Sequence, residues 1–377
     1  MNNRTIRKNV VFLHSSNEMY GADRMLLEVI NALPPYLHAI VLIPNDIAPS
    51  GPSLSAELET RGIQYEVSDI AILRRAYLRP AMIPQLLYRT LKTVLAIKRL
   101  DPEIVYLTTS SSLITAPALR VLGRRKVIFH CQEIWSGREA RLLGILARGV
   151  TKCICISNPA FSALRGKVTE KAVVIENGHR DAREPTTNIA GHRGAIKFLI
   201  ASRWNAWKGH GTLLDAWEEA DSPGELIIAG GPPPVGKSFD VPTRVLQLSN
   251  PRSVRIVGEV SNIRELLDGC DFLIVPSDDP EPFGLVAIEA FSRKRPVIGS
   301  RGGGLATIIS DGRDGFLYSP KSSIDLAEIL GRVSRTDAIS AGRIARQTYE
   351  KRYSISVFTT AMTAVFESVA PNTHTQS

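Results

Sequence analysis

The chain has 377 residues, 46 Lys+Arg against 37 Asp+Glu, and 44% hydrophobic residues, for a net charge of +9. That length predicts two domains, each able to bury a core without disulfides, and the average composition excludes a disordered, collagenous or coiled-coil chain. The excess charge lies in the first half: residues 1–185 hold 25 Lys+Arg and 16 Asp+Glu, whereas residues 186–377 hold 21 of each.

The asymmetry points to an anionic partner for the first half, or to a basic face that is simply solvated. The start MNNRTIRKN is followed by only VVFL before polar residues, too short for a secretory signal. No apolar run approaches 18 residues, so no transmembrane helix is expected. The four cysteines, Cys131, Cys153, Cys155 and Cys270, form no CxxC pair, and buried free thiols in a reducing cytoplasm are expected.

In chain order, Val10–His14 reads as a buried strand, followed by the loop SSNEMYGAD. Arg24–Leu33 has helical spacing, and Ala39–Ile43 is a second strand. Ile104–Leu107, Lys126–His130, Cys153–Ile156 and Ala172–Ile175 continue the series, with helical stretches between them. The pattern restarts after the polar segment Asp181–Gly194: strands are expected at Ile196–Ala201, Glu225–Ala229, Val254–Val257, Phe272–Val275 and Val297–Gly299. Helices are expected at Gly211–Ala220, Ser261–Leu267 and Leu285–Arg293. Short β-rich runs alternating with helical patterns indicate βαβ units and two doubly wound parallel sheets. The expected domains are residues 1–183 and 184–353, with a last helix at 354–370. In open α/β sheets ligands lie at the carboxyl ends of the strands, so the loops after strands carry the functional information.

The most informative is Pro276–Gly304, PSDDPEPFGLVAIEAFSRKRPVIGSRGGG. Glu281 precedes Pro282 and is biased toward extended backbone. Gly284 permits a tight turn, and LVAIEAFSR reads as a helix. Its N-terminus offers the N–H groups of Phe283, Gly284 and Leu285 as an anion site. Glu281 and Glu289 are eight positions apart, at most ~12 Å of helical rise, a spacing that suits two carboxylates flanking a diphosphate. Glu289 sits in the apolar stretch VAIEAF, where an unpaired carboxylate is costly. Arg203 and Lys208 follow a strand, beside Gly209. Gly302–Gly304 could form an anion-holding nest or a plain loop. No D-x-D metal motif stands out; Asp278-Asp279 reads as a polar loop.

The segment E-PFGLVAI-E resembles the E-x7-E signature of the family 4 retaining glycosyltransferases with the GT-B fold. Other segments agree in order: Tyr20-Gly21-Ala22 after the first strand, FHCQE with His130, CICIS, VIENG, ASRWNAWKGHGTLLDAW, LIIAGG, VRIVGEV and GGGLATIISDGRDGFLY. The likeness spans roughly residues 8–370. It implies two Rossmann-like domains facing a cleft, the first for the acceptor and the second for a nucleotide-sugar donor. Arg203 and Lys208 would neutralise the donor diphosphate, with the amides of Phe283–Leu285 completing the cradle. Glu289 would hold the ribose hydroxyls, and the backbone near Val260 the base. Glu281 and His130 are the implied catalytic residues: Glu281 at the transferred sugar, His130 reaching it from the first domain. Tyr20, Gly21 and Ala22 would form a loop near donor and acceptor. The family works without a metal or a bound cofactor, and retains anomeric configuration. Two departures stand out: Thr307 where an acid is frequent, and Ala201-Ser202 in place of glycines before Arg203.

Residues 71–100 contain seven Lys or Arg and no acid, interleaved with apolar residues. This segment and Arg138–Arg148 suggest contact with an anionic membrane surface, against the alternative of helices packed on the sheet with solvated charges. Pro80 and Pro84 exclude one helix across the whole segment. A membrane contact would suit a lipid-linked acceptor and a cytoplasmic protein peripheral to the inner face of the membrane. Nucleic acid is not expected, since no aromatic-studded basic strand or recognition helix is evident. The expected function is transfer of a hexose from a UDP- or GDP-sugar to a glycan or lipid-linked hydroxyl. A nucleotide-sugar epimerase on the same scaffold and a non-enzymatic membrane or glycan binder are the alternatives.

Overall fold

The computed structural model describes residues 8–46, 52–74, 79–123, 126–181, 189–233 and 236–372. Residues 75–78 of the basic segment, 182–188 of the polar segment and the tail from 373 lie outside these. The chain divides into two compact units, Met1–Asn177 with Phe358–Ser377, and Gly178–Val357.

The first unit holds β1 (Lys8–Leu13), β2 (Leu37–Pro44), β3 (Gln64–Ser68), β4 (Ile104–Leu107), β5 (Lys126–Cys131), β6 (Lys152–Cys155) and β7 (Ala172–Val174). They form one parallel sheet in the order β3-β2-β1-β4-β5-β6-β7. Strands covered on both faces need continuous apolar runs, and Val10–Leu13 and Ile104–Leu107 are wholly buried. Edge strand β3, QYEVS, is half-exposed and alternating, which is why hydrophobic runs alone do not reveal it. The helices are α1 (Gly21–Asn31), α2 (Leu54–Thr60), α3 (Ile83–Leu100), α4 (Ala116–Gly123), α5 (Gly137–Leu146) and α6 (Asn158–Ala163). Pro84 falls in the first turn of α3, where its missing N–H costs nothing, so it opens an 18-residue helix.

The second unit holds β8 (Lys197–Ala201), β9 (Glu225–Ala229), β10 (Val254–Gly258), β11 (Phe272–Val275), β12 (Val297–Ser300) and β13 (Gly315–Tyr318). This sheet is also parallel, in the order β10-β9-β8-β11-β12-β13. Its helices are α7 (His210–Glu219), α8 (Val241–Leu246), α9 (Arg264–Gly269), α10 (Leu285–Ser292), α11 (Leu305–Ile308), α12 (Ser323–Arg332) and α13 (Arg335–Thr348). Phe198 stacks on Phe272 and meets Trp217 edge-on at the centre of the core.

The last helix, α14 (Ile355–Val369), runs into the first unit, where Phe358, Met362 and Phe366 are buried. Its Thr363 hydroxyl donates to Ala32 O at 2.8 Å, the Tyr36 hydroxyl donates to Ala370 O at 2.9 Å, and the Phe366 ring lies 5.8 Å from Tyr106.

In each sheet the chain starts at a central strand, steps outward on one side, then returns to the other. The switch points therefore fall between β1 and β4 and between β8 and β11, where the carboxyl ends open a crevice for ligands.

Candidate functional site

At the second switch point, glycines bring two loops together. Gly209 has φ +74°, and a Cβ there would lie 1.9 Å from Pro276 O. Only glycine lets the loop after β8 meet the loop after β11 so closely. Asp278 N donates to Trp207 O at 2.8 Å, and the Thr212 hydroxyl donates to Asp278 Oδ1 at 2.7 Å. Asp278 thus ties α7 to the second loop, while Asp279 pairs with Lys321 at 3.3 Å.

This junction delivers Lys208 to Glu281. Lys208 Nζ donates to Glu281 Oε1 at 2.6 Å, and the Ser277 hydroxyl donates to the same oxygen at 2.6 Å. Glu281 is 6% exposed, and a buried carboxylate is tolerable only when paired and hydrogen-bonded like this. Its Oε2 accepts from no described residue. The Lys208 ammonium also lies 4.1 Å from the centre of the Trp207 ring, a cation–π contact that holds it in place. The backbone of Glu281 rests on Gly303, where a Cβ would lie 2.1 Å from Glu281 O, and Gly304 N donates to that carbonyl at 2.7 Å. Gly302–Gly304 therefore support the Glu281 loop.

Immediately after this loop α10 begins. Its N-cap is Gly284 at φ +108°, with no side chain capping the first turn. The N–H groups of Phe283, Gly284 and Leu285 donate to no described residue. A cation, a carboxylate with one unused oxygen and an uncapped helix start thus share one loop junction. Glu289 follows on α10, half-buried between Ile288 and Ala290.

Arg203 and Val260 belong to the same carboxyl edge. Ser202 N donates to Ala229 O, Trp204 N to Gly231 O and Gly230 N to Gly258 O, so the ends of β8, β9 and β10 are sewn together. Arg203 is half-buried, and Val260 is among the exposed apolar residues. His210 opens α7 nearly fully buried, with neither ring nitrogen bonded, and burial lowers its pKa to about 4.

The first-unit residues sit differently. His130, expected as the last residue of a strand, is the last but one of β5 and 1% exposed. Its Nδ1 pairs with the Tyr106 hydroxyl at 3.0 Å, its Nε2 is unbonded, and burial lowers its pKa to about 4. β5 runs one residue further than expected, through Cys131. Tyr20, Gly21 and Ala22 form the N-cap and first turn of α1, where Tyr20 N donates to Asp23 Oδ2 at 2.9 Å.

Asp23 belongs to a buried network that the sequence reading missed. Its Oδ1 pairs with His14 Nε2 at 2.7 Å and accepts from the Ser16 hydroxyl at 2.5 Å, and His14 Nδ1 meets the Thr108 hydroxyl at 2.8 Å. Burial pushes the Asp23 pKa up, but the His14 and Ser16 contacts together hold it below the usual carboxylate value. Nearby on the same sheet edge, the Ser110 hydroxyl donates to Glu133 Oε2 at 2.6 Å, and burial raises the Glu133 pKa. Ser277 was missed too. The signal for His14 and Asp23 was available: polar residues just after a buried first strand, in the loop that leads into a helix.

Residues 187–351 match the family model described as Glycosyl transferases group 1. An uncharacterized glycosyltransferase of Methanocaldococcus jannaschii is 30% identical over 180 residues, 47% of this chain and 48% of that protein. A D-inositol 3-phosphate glycosyltransferase of a Nocardioides species is 32% identical over 204 residues, 46% of this chain and 44% of that protein. The chain spans about half the length of the curated relatives it matches. The crystal structure of Anabaena HepE in complex with UDP and glucose has a TM-score of 0.80 at 22% identity, covering 96% of this chain and 100% of that one. The fold is thus of the GT-B class, two Rossmann-like parallel-sheet units. The matched segment lies within the second unit, and the two relatives named above carry glycosyltransferase names.

Proposed function

We propose that this protein is a retaining glycosyltransferase that moves a hexose from a UDP- or GDP-sugar to a hydroxyl of a glycan or lipid-linked acceptor. Synthesis of envelope or extracellular polysaccharide or glycolipid is the setting we infer for it, with peripheral contact to an anionic membrane. The observation that carries the reading is the Lys208–Glu281–Ser277 cluster beside the uncapped start of α10. A diphosphate leaving group needs positive charge that is already in position. Arg203, Lys208 and the amides of Phe283–Leu285 supply it without a metal ion, in this reading. Glu281 Oε2 then accepts from a hydroxyl of the transferred sugar, Glu289 holds the ribose, and backbone near Val260 meets the base. The first unit takes the acceptor, with the Tyr20–Ala22 turn close to it. The UDP held by Anabaena HepE and the glycosyltransferase names of the relatives support a nucleotide-sugar donor.

A thermal-shift panel of UDP- and GDP-sugars tests the donor assignment, because a ligand that binds only the folded state raises the melting temperature. One sugar nucleotide should raise it, and Lys208→Met should weaken the shift. No shift with any donor would refute the reading. Activity that survives EDTA is expected. Product formed from donor alone, as an isomerised nucleotide sugar, would point to an epimerase instead.

A further inference from the structure

Four of the seven bases of residues 71–100 are matched by acids. Arg74 pairs with Asp46 at 2.7 Å, Arg89 lies 3.5 Å from the same carboxylate, Lys92 reaches Asp69 at 3.0 Å, and Arg99 pairs with Glu66. These contacts tie the inner and lateral sides of α3 to the β2 and β3 region. What α3 leaves outward is apolar: Ile83, Leu87, Tyr88, Leu91 and Leu95 are 48 to 65% exposed. Leu87, Leu91 and Leu95 repeat every four residues, so they form one stripe along the helix. The opposite side, with Leu86, Val94 and Ile97, is buried.

A soluble helix that is apolar on both sides has an outer face suited to burial elsewhere. The neighbouring helices repeat the feature. Strands β3 to β6 step in the direction opposite to β1 to β3, so right-handed crossovers put α3, α4 and α5 on one face of the sheet. On that face Val121 of α4 and Leu142 and Ile145 of α5 are also exposed. Lys98, Arg138, Arg141 and Arg148 are exposed there and form no ion pair with a described residue.

Charge selects the occupant. The exposed bases that no described acid pairs, Lys98, Arg138, Arg141 and Arg148, leave the face positive. A second copy of the chain on this face would bring like charges together, whereas an anionic bilayer complements them. The open pocket of about 420 Å³ beside Leu95 is lined by Lys92 and Arg99, whose charges are already matched by Asp69 and Glu66, so capture of a single head group does not explain the face.

We propose that the outer face of α3 lies in the interface of an anionic membrane. Ile83, Leu87, Tyr88, Leu91 and Leu95 enter the head-group boundary, and Lys98, Arg141 and Arg148 meet lipid phosphates. This rests on the membrane contact in the proposed function and narrows it: apolar insertion by one helix carries the binding, and paired bases do not. It stands whether or not the chain transfers sugar.

The test is co-sedimentation of the full chain, without donor, with vesicles of phosphatidylcholine alone and of phosphatidylcholine with phosphatidylglycerol. The chain should sediment with the anionic vesicles. The triple variant L87S/L91S/L95S should bind at least about tenfold more weakly, with an unchanged melting temperature because these side chains are exposed. K98Q/R141Q/R148Q should lose the preference for anionic over neutral vesicles. Wild type that stays in the supernatant, or a triple variant that sediments equally well, would overturn the proposal. So would a concentration-dependent dimer that the triple variant dissolves without vesicle binding by the wild type. A donor thermal shift alongside failed sedimentation would overturn the membrane face alone.

Discussion

The carboxyl edges of the two sheets are made of different materials. At the second edge, Lys208 pairs with Glu281 beside the open amides before α10, and glycines at 209, 230, 303 and 304 allow backbone to approach backbone. At the first edge, Ser16, Thr108, Ser110 and Gln132 bring neutral hydroxyl and amide groups together, and two of the acids there, Asp23 and Glu133, are held by internal hydrogen bonds. Positive charge and unbonded amides suit a group that carries negative charge. Satisfied acids among neutral hydrogen-bonding groups suit an uncharged polyol. In the proposed function these would be the edges for the diphosphate and for the acceptor, differing in the loops after the strands.

The sharpest way to break this contrast is Glu281→Ala. Transfer should fall roughly a thousandfold or more, with the fold kept but destabilised by about 3 kcal/mol as Lys208 loses its partner; full activity in the variant would remove Glu281 from the mechanism. Next, Gly209→Ala should cost roughly 3 kcal/mol or more, since the new Cβ meets Pro276 O at 1.9 Å. Gly62 also has positive φ but nothing within 4 Å of a Cβ, so Gly62→Ala should cost only about 1 kcal/mol. Chemical denaturation distinguishes the two. If Gly209→Ala also abolishes the donor thermal shift while Gly62→Ala does not, the loop junction is tied to the site.

Asp23→Asn probes the first edge. It keeps the shape but removes the charge facing His14, and should cost about 2 kcal/mol while the donor thermal shift persists. Loss of that shift would mean that the first edge also handles the diphosphate. A pH-dependent effect is shared by both units. His130 and His210 have pKa values of about 4 in the fold against 6.5 ordinarily, so the unfolded chain takes up their protons first as pH falls. The stability their neutral forms confer is complete above pH 6.5 and is lost toward pH 4, by up to about 1.4 kcal/mol per histidine per pH unit. Stability curves of His130→Gln and His210→Gln should each flatten in that window.

Most strands were legible because a strand buried on both faces must be a continuous apolar run, as VVFL, IVYL and FLIV are. Strand β3 was not, since an edge strand half in water carries no such run. Glu281, Lys208 and the Gly284 turn could be named from their order in the chain. Their meeting could not, because 73 positions separate Lys208 from Glu281, and the contact exists only once Gly209 has closed the loops. For His130 the sequence could name a strand end, and only packing shows the ring buried against Tyr106.

Hydrophobic periodicity determined most strands of the parallel sheets, though not β3 or β13, and the loops that end those strands, because each depends on neighbours within a few residues. Which atoms share those loops, which cations are spent on nearby acids and which helix face is left apolar were decided by tertiary packing. Burial and pairing are properties of groups distant in sequence, and nothing in a local pattern encodes the distance between them once the chain has folded.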